Sequence, residues 1–305
     1  MLRYFALRIG RAALTIVLVV TFAFVVLRLS GDPALMIMGP EAPPEVIAAF
    51  RKAWGLDEPI WAQYLDYFGA IAKGELGRSM RDGRPAATLV LERIPATLAL
   101  TLPAFLFKVG IGIPAGIFAA LHRGSLIDRA VMVAAVAGFT VPSFVLALVL
   151  VLVFAVQLGW LPSGGQDSWR HAILPIATLG LGGAAVLARF TRSAMLEELR
   201  QDYARTARGK GVKESSVLIK HCLRNALIPI ITIAGIQMGY LLGGAILVEQ
   251  VFALPGLGQL LINAIGQRDY AVVQGVVLFI ALNFLLVNLL ADVLYAVVNP
   301  RVRNG

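Results

Sequence analysis

Residues 202–229 read DYARTARGKGVKESSVLIKHCLRNALIP, a short basic stretch rich in small residues. It follows the run 172–190 and leads into the run 227–249, both too apolar for a water-facing helix. A charged island between two lipid-length runs points to a membrane bundle with loops. Working outward, four more runs qualify, at 9–29, 98–120, 131–157 and 271–298. A transmembrane helix needs roughly 20 apolar residues to cross about 30 Å of hydrocarbon. Backbone groups in lipid must be satisfied internally, so six such segments predict an all-α bundle of six transmembrane helices.

Composition agrees with that assignment. Hydrophobic residues make up 58% of the 305 and charged residues 15%, with mean hydropathy +0.79. A water-soluble domain carries nearer a quarter charged residues. Arg3, Arg8 and Arg11 precede the first run in the manner of a secretory signal, but the run is long and no convincing small-x-small cleavage site follows. It is expected to remain as the first helix.

The formal charge of +9 raises the question of nucleic acid. Its distribution answers it. One set of segments holds Arg3, Arg8, Arg11, Arg123, Arg129, Arg189, Arg192, Arg200, Arg205, Arg208, Lys210, Lys213, Lys220, Arg224, Arg301 and Arg303, and the opposite short loops hold only Arg170 and Arg268. The long segment 30–97 has seven cations against nine anions, and long loops weigh little in the bias. The positive charge therefore reports topology, with both termini cytoplasmic, and supports no nucleic-acid partner. The lone cysteine, Cys222, excludes a disulfide within the chain. His122, His171 and His221 show no metal-ligand spacing, so no metal site is expected.

The chain divides into a first helix (1–30), an extracytoplasmic segment of short helices (31–97), a core of five further helices (98–298, with a cytoplasmic loop 191–225) and a tail (299–305). The segment 31–97 holds Phe50, Trp54, Trp61, Tyr64, Tyr67 and Phe68, broken by Pro40, Pro43, Pro44 and Pro59. It suits either a cap on the outer leaflet or a lid facing solute or partner. In the fifth run Gly235, Gly239 and Gly243 repeat every four residues. One small-residue face permits close helix packing or lines a pathway.

Within 202–229, Ala204, Ala207 and Gly211 fall at helical spacings, a smooth face flanked by cations, with Gly211 as the helix stop. Such a face could dock in another protein's groove, and the cations would steer an acidic partner. Otherwise the stretch is a solvated, topology-setting loop.

This stretch resembles the cytoplasmic signature loop of binding-protein-dependent ABC importer permeases, in the dipeptide, oligopeptide, nickel and glutathione branch. Arg205-Thr206-Ala207, Gly211, His221-Cys222-Leu223-Arg224, Arg224-Asn225-Ala226-Leu227 and Pro229 carry the likeness. Further matches are Gly31-Asp32-Pro33, Leu56-Asp57-Glu58-Pro59, Gly74 to Ser79, Pro95-Ala96-Thr97-Leu98, Glu249 to Phe252, Pro255-Gly256-Leu257-Gly258 and Arg268-Asp269-Tyr270. Gly39 to Ala42 and Leu161 to Trp169 resemble glutathione permeases most.

The resemblance implies a type I importer permease fold, and a bacterial inner-membrane subunit forming half of a pathway for peptides or related solutes. It implies as partners a second homologous permease, two ATPase subunits that hold ATP and Mg, and an extracytoplasmic solute-binding protein. It also implies ATPase coupling through Tyr203, Ala204, Arg205, Thr206, Ala207, Arg208, Gly211 and Val212. Glu249, Phe252, Pro255, Gly256 and Gly258 would form an outer loop or gate.

No phosphate-binding Gly-x4-Gly-Lys-Ser/Thr, His-Glu-x2-His or Gly-x-Ser-x-Gly occurs, so ATP must act on another subunit and no cofactor or enzyme activity is expected here. A stand-alone ion-coupled secondary transporter is the alternative. It would be expected to show internal repeats and paired membrane carboxylates, and neither is found. Arg28, Glu249 and Asp292 lie near span ends, where snorkelling would serve them. Lys108 sits mid-span, where a charge costs about 2.5–3.5 kcal/mol. It is expected to line a water-filled path or to pair with a neighbouring helix or subunit.

Overall fold

The computed structural model describes residues 2–298 except Pro40, with side chains described from residue 10 to residue 290. The tail 299–305 with Arg301 and Arg303, together with Pro40 and the side chains of Arg3, Arg8 and Asp292, lies outside the described residues. The chain forms fourteen α-helices among those residues. They are α1 (Leu2–Leu29), α2 (Pro33–Met38), α3 (Pro44–Ala53), α4 (Ile60–Ala72), α5 (Ala86–Leu121), α6 (Leu126–Thr140), α7 (Ser143–Leu150), α8 (Arg170–Leu199), α9 (Asp202–Gly209), α10 (Glu214–Ser216), α11 (Arg224–Gly239), α12 (Leu241–Val251), α13 (Leu257–Gly266) and α14 (Tyr270–Val298). Wide π turns over Val151–Gln157 and Val217–Leu223 continue α7 and lead into α11. Extended pairing among the described residues is confined to one isolated bridge, Arg78 with Pro85.

Five helical segments are long and apolar enough to cross a membrane, and a bent pair makes a sixth. That pair departs from the expected straight span over 131–157. The helix stops at Thr140 and restarts at Ser143, turned by 105°. Val141-Pro142 is the cause. The residue before proline is pushed out of the α region, and Val141 is extended at φ −77°, ψ 120°. The expected run 227–249 is also divided, at Tyr240, between α11 and α12. The three glycines therefore do not share one packed face. Gly239 ends α11 and is buried, Gly235 is half-buried, and a Cβ on Gly243 would meet no atom within 4 Å.

By internal contacts the described residues fall into two compact units, residues up to 97 with 255–285, and residues 98–254 with those from 286 onward. In the first, the aromatic residues of α4 pack onto α1. The ring centroid of Phe24 lies 5.4 Å from that of Tyr64 and 6.1 Å from that of Tyr67, and the Thr21 and Tyr64 hydroxyls are 2.8 Å apart. The Arg28 guanidinium lies 5.0 Å from the Phe24 ring centroid and 4.7 Å from that of Tyr270. It turns inward onto rings, so the snorkelling expected for it is not what the fold does. Two motifs 190 positions apart meet here. The Ser79 hydroxyl donates to the Asp269 carboxylate, and the Met80 N–H reaches the same group at 3.3 Å.

In the second unit α8 is the central post, touched by α6, α7, α11 and α12. Its approach to α5 is backbone to backbone. A Cβ on Gly112 would lie 2.7 Å from the Ala184 carbonyl oxygen, and one on Gly116 would lie 2.5 Å from that of Ala188. Lipid tails are as apolar as leucine, so helices associate in membranes through such close packing. Arg192 of α8 pairs with Asp128 of α6, whose carboxylate also accepts the Gly124 N–H at 2.9 Å.

Gly116→Val should therefore force α5 from α8, an overpacking cost of about 1–3 kcal/mol or more. Gly110→Ala, which meets open space, should shift stability by less than about 0.5 kcal/mol. Thermal melts followed by a thiol-reactive dye on buried Cys222 check this. Equal midpoints for the two variants would contradict the packing.

Candidate coupling helix and membrane site

α9 forms because its small residues recur on one side and its polar residues on the other. Gln201 is extended and starts the helix, and Gly211 stops it in the left-handed region at φ +74°. The turn closes with the Gly211 N–H on the Arg208 carbonyl at 2.9 Å and the Val212 N–H on that of Ala207 at 3.2 Å.

The smooth face points the other way from what its spacing suggested. Ala204 is 0% and Ala207 9% exposed, because both pack inward with Met195, Val217, Cys222 and Ala226. Alanine is small enough to seat a short helix on the chain's own core, so neither side chain is offered to a groove elsewhere. The outward face carries Tyr203, Arg205, Thr206, Gly209, Lys210, Gly211 and Val212.

Partners within the chain divide these residues further. Arg208 holds the turn, its Nε and Nη2 donating to the Glu214 carboxylate at 3.0 and 2.8 Å, with Nη1 3.4 Å from the Leu199 carbonyl oxygen. The Tyr203 hydroxyl donates to Glu198. Burial raises the Tyr203 pKa to about 12, the bond to Glu198 acting in the same direction, so the phenol stays a donor at neutral pH. Thr206 bonds its own turn, to the Asp202 carbonyl at 2.8 Å. The Arg205 side chain makes no hydrogen bond or ion pair among the described residues and stands exposed. Glu198 and Glu214 were missed from sequence. The opposite charges of Arg208 and Glu214 on either side of Gly211 were the available signal.

Lys108, expected mid-span, is buried on α5 and faces α8. Gly183 leaves the room it occupies, since a Cβ there would lie 2.1 Å from the Lys108 Cε. Glu249 is buried rather than extended to water, which corrects the snorkelling expected for it. Phe252 is fully buried, and its carbonyl accepts the Gly165 N–H at 3.0 Å. Both belong to the second unit. In the first, Gly256 precedes α13, Gly258 is buried, and the Pro255 carbonyl accepts from Arg93 at 3.3 Å. The Leu257 N–H bonds the Thr97 hydroxyl at 2.8 Å.

Comparison with known proteins bears on most of the chain. The family model for the binding-protein-dependent transport system inner membrane component matches residues 112–304, and that for its N-terminal part matches residues 1–101. The glutathione transport system permease protein GsiC of Escherichia coli (strain K12) is 49% identical over 290 residues, 95% of this chain and 94% of that protein. GsiC of Salmonella choleraesuis (strain SC-B67) shows the same identity and coverage. Among solved structures, the methionine ABC transporter MetNI in inward-facing form matches with TM-score 0.59 and 25% identity, over 69% of this chain and 96% of that one.

The buried alanines generate an expectation independent of these likenesses. Ala204→Glu puts a carboxylate into the cluster around Cys222, with a penalty of several kcal/mol unless it is paired. Cys222 should then react with maleimide about tenfold faster or more. Arg205→Glu, on the exposed face, should leave Cys222 protected. Equal protection in both variants would place Ala204 outside the core.

Proposed function

This chain belongs to the family of binding-protein-dependent transport system inner membrane components, and from that premise we propose its solute, its partners and its route of coupling. It is the permease subunit of an ABC importer, a multi-pass protein of the bacterial inner membrane. ATP hydrolysis belongs to separate subunits.

The solute is glutathione or a closely similar small peptide. The observation that carries this is the 49% identity to glutathione permeases over 95% of the chain. The working importer comprises this chain, a second homologous permease, two ATPase subunits binding ATP and Mg, and an extracytoplasmic solute-binding protein. Both termini and α9 lie on the cytoplasmic side, in keeping with the cation distribution.

α9 is the coupling helix. Its outward face, with Tyr203, Arg205, Thr206 and Val212, seats in a cleft of one ATPase subunit. Ala204 and Ala207 fasten the same helix to the permease, while Arg208 and Gly211 hold its shape. Movement of the ATPase pair is thus delivered to α8 and α11. Such coupling requires the contact at α9 to differ in free energy between the inward- and outward-open states. Glu249 and Phe252 in the second unit, and Pro255, Gly256 and Gly258 in the first, serve as an outer loop or gate.

The assembled importer in proteoliposomes should take up glutathione only with ATP and the binding protein. Arg205→Glu reverses the charge on the docking face and should cut uptake about tenfold or more, with the permease still inserted. Unchanged uptake by that variant would contradict the docking role. Uptake by this chain alone, driven by a proton or sodium gradient, would contradict the importer assembly and restore the secondary-transporter alternative.

A further inference from the structure

The second unit holds a cavity of about 320 Å³ whose lining converges from six helices. Lys108 enters from α5, Thr178 and Gly183 from α8, Ser143 from α7 and Gln237 from α11. Lys108 is only 4% exposed, and among the described residues it makes no hydrogen bond or ion pair. The Gln237 amide is turned to the Gly183 carbonyl at 3.4 Å, and the Thr178 hydroxyl to that of Leu174 at 2.8 Å. Among the described residues no aspartate or glutamate lines the cavity.

A second source of positive potential faces the same space. The break at Val141-Pro142 places the amino end of α7 in the cavity wall. The Leu146 N–H bonds the Pro142 carbonyl at 3.0 Å, so the N–H groups of residues 143–145 have no intrahelical acceptor. Helix amino ends favour anions, and broken membrane helices present such ends at solute sites. A buried ammonium and a helix amino end in one acid-free cavity are complementary to an anion.

We propose that this cavity is a carboxylate-binding subsite, in which Lys108 and the amino end of α7 receive a carboxylate of the passing peptide. The assignment deepens the importer reading and rests on it for the identity of the peptide. Gly183 is part of the site, because any side chain there would displace the lysine. Phe139 and Tyr240, both exposed, also line the cavity.

The test uses the complete reconstituted importer with Cys222 replaced by serine and Ser143→Cys as reporter. Reaction with anionic sulfonatoethyl methanethiosulfonate should outpace that with its cationic trimethylammonioethyl counterpart by about tenfold. Adding Lys108→Met should abolish the preference, Lys108→Arg should keep it, and millimolar glutathione should slow the anionic reaction. No preference, or one indifferent to Lys108→Met, would overturn the proposal. Loss of preference only when the second permease is present would also overturn it, showing the lysine neutralised by an acid of that partner. A preference that persists in an importer that takes up no glutathione would support the anion site and refute the solute assignment instead.

Discussion

The contact between α5 and α8 governs the second unit. Lys108, Gly112 and Gly116 follow one another at four-residue spacing on α5 and all face α8. At the two glycines the helices meet backbone to backbone, against Ala184, Ala188 and Thr191. At the third position the roles are exchanged, and a glycine of α8, Gly183, gives way to a lysine of α5. Tight packing at one end of the stripe thus sits beside a cavity at the other. In hydrocarbon, where no hydrophobic force draws helices together, that close fit is what holds the lysine in place.

The same post reaches α9. From Gly183 α8 continues unbroken to Leu199, about 24 Å at 1.5 Å per residue, and α9 begins three residues later. Along that length Arg192 is tied to Asp128, Cys222 packs beside the Glu198 carbonyl at 3.7 Å, and Tyr203 is held by Glu198. α9 is thus tied to a helix whose middle walls the cavity. The breaks at Pro142 and Tyr240 also border that cavity, where the ladder of backbone bonds is interrupted. Irregular backbone at membrane depth is tolerated where it lines a protein cavity.

Much of this was legible in the residues. Run length gave the spans, Gly211 gave the helix stop, and the ordered motifs gave the family. The face of α9 was found by its period, but spacing alone does not say whether alanines face a partner or the chain's own core. Only the burial of Cys222 and Val217 beneath them settled it. The glycine series at 235, 239 and 243 looked like the packing stripe, yet the pair at 112 and 116 fills that role, since Tyr240 divides the former. Val141-Pro142 inside an apolar run was a readable sign of the bend, and run length hid it. The inward turn of Arg28 depends on Tyr270, far away in sequence, which a position near a span end does not report.

The central claim is that α9 hands motion from an ATPase subunit to the bundle. Its most direct test is crosslinking from Thr206→Cys, with Cys222 replaced by serine, in inverted membrane vesicles carrying the whole importer. The account expects an adduct with an ATPase subunit whose yield changes between nucleotide-free and ATP-trapped states. An adduct with no such subunit, or labelling of position 206 only from the opposite face of the membrane, would contradict it.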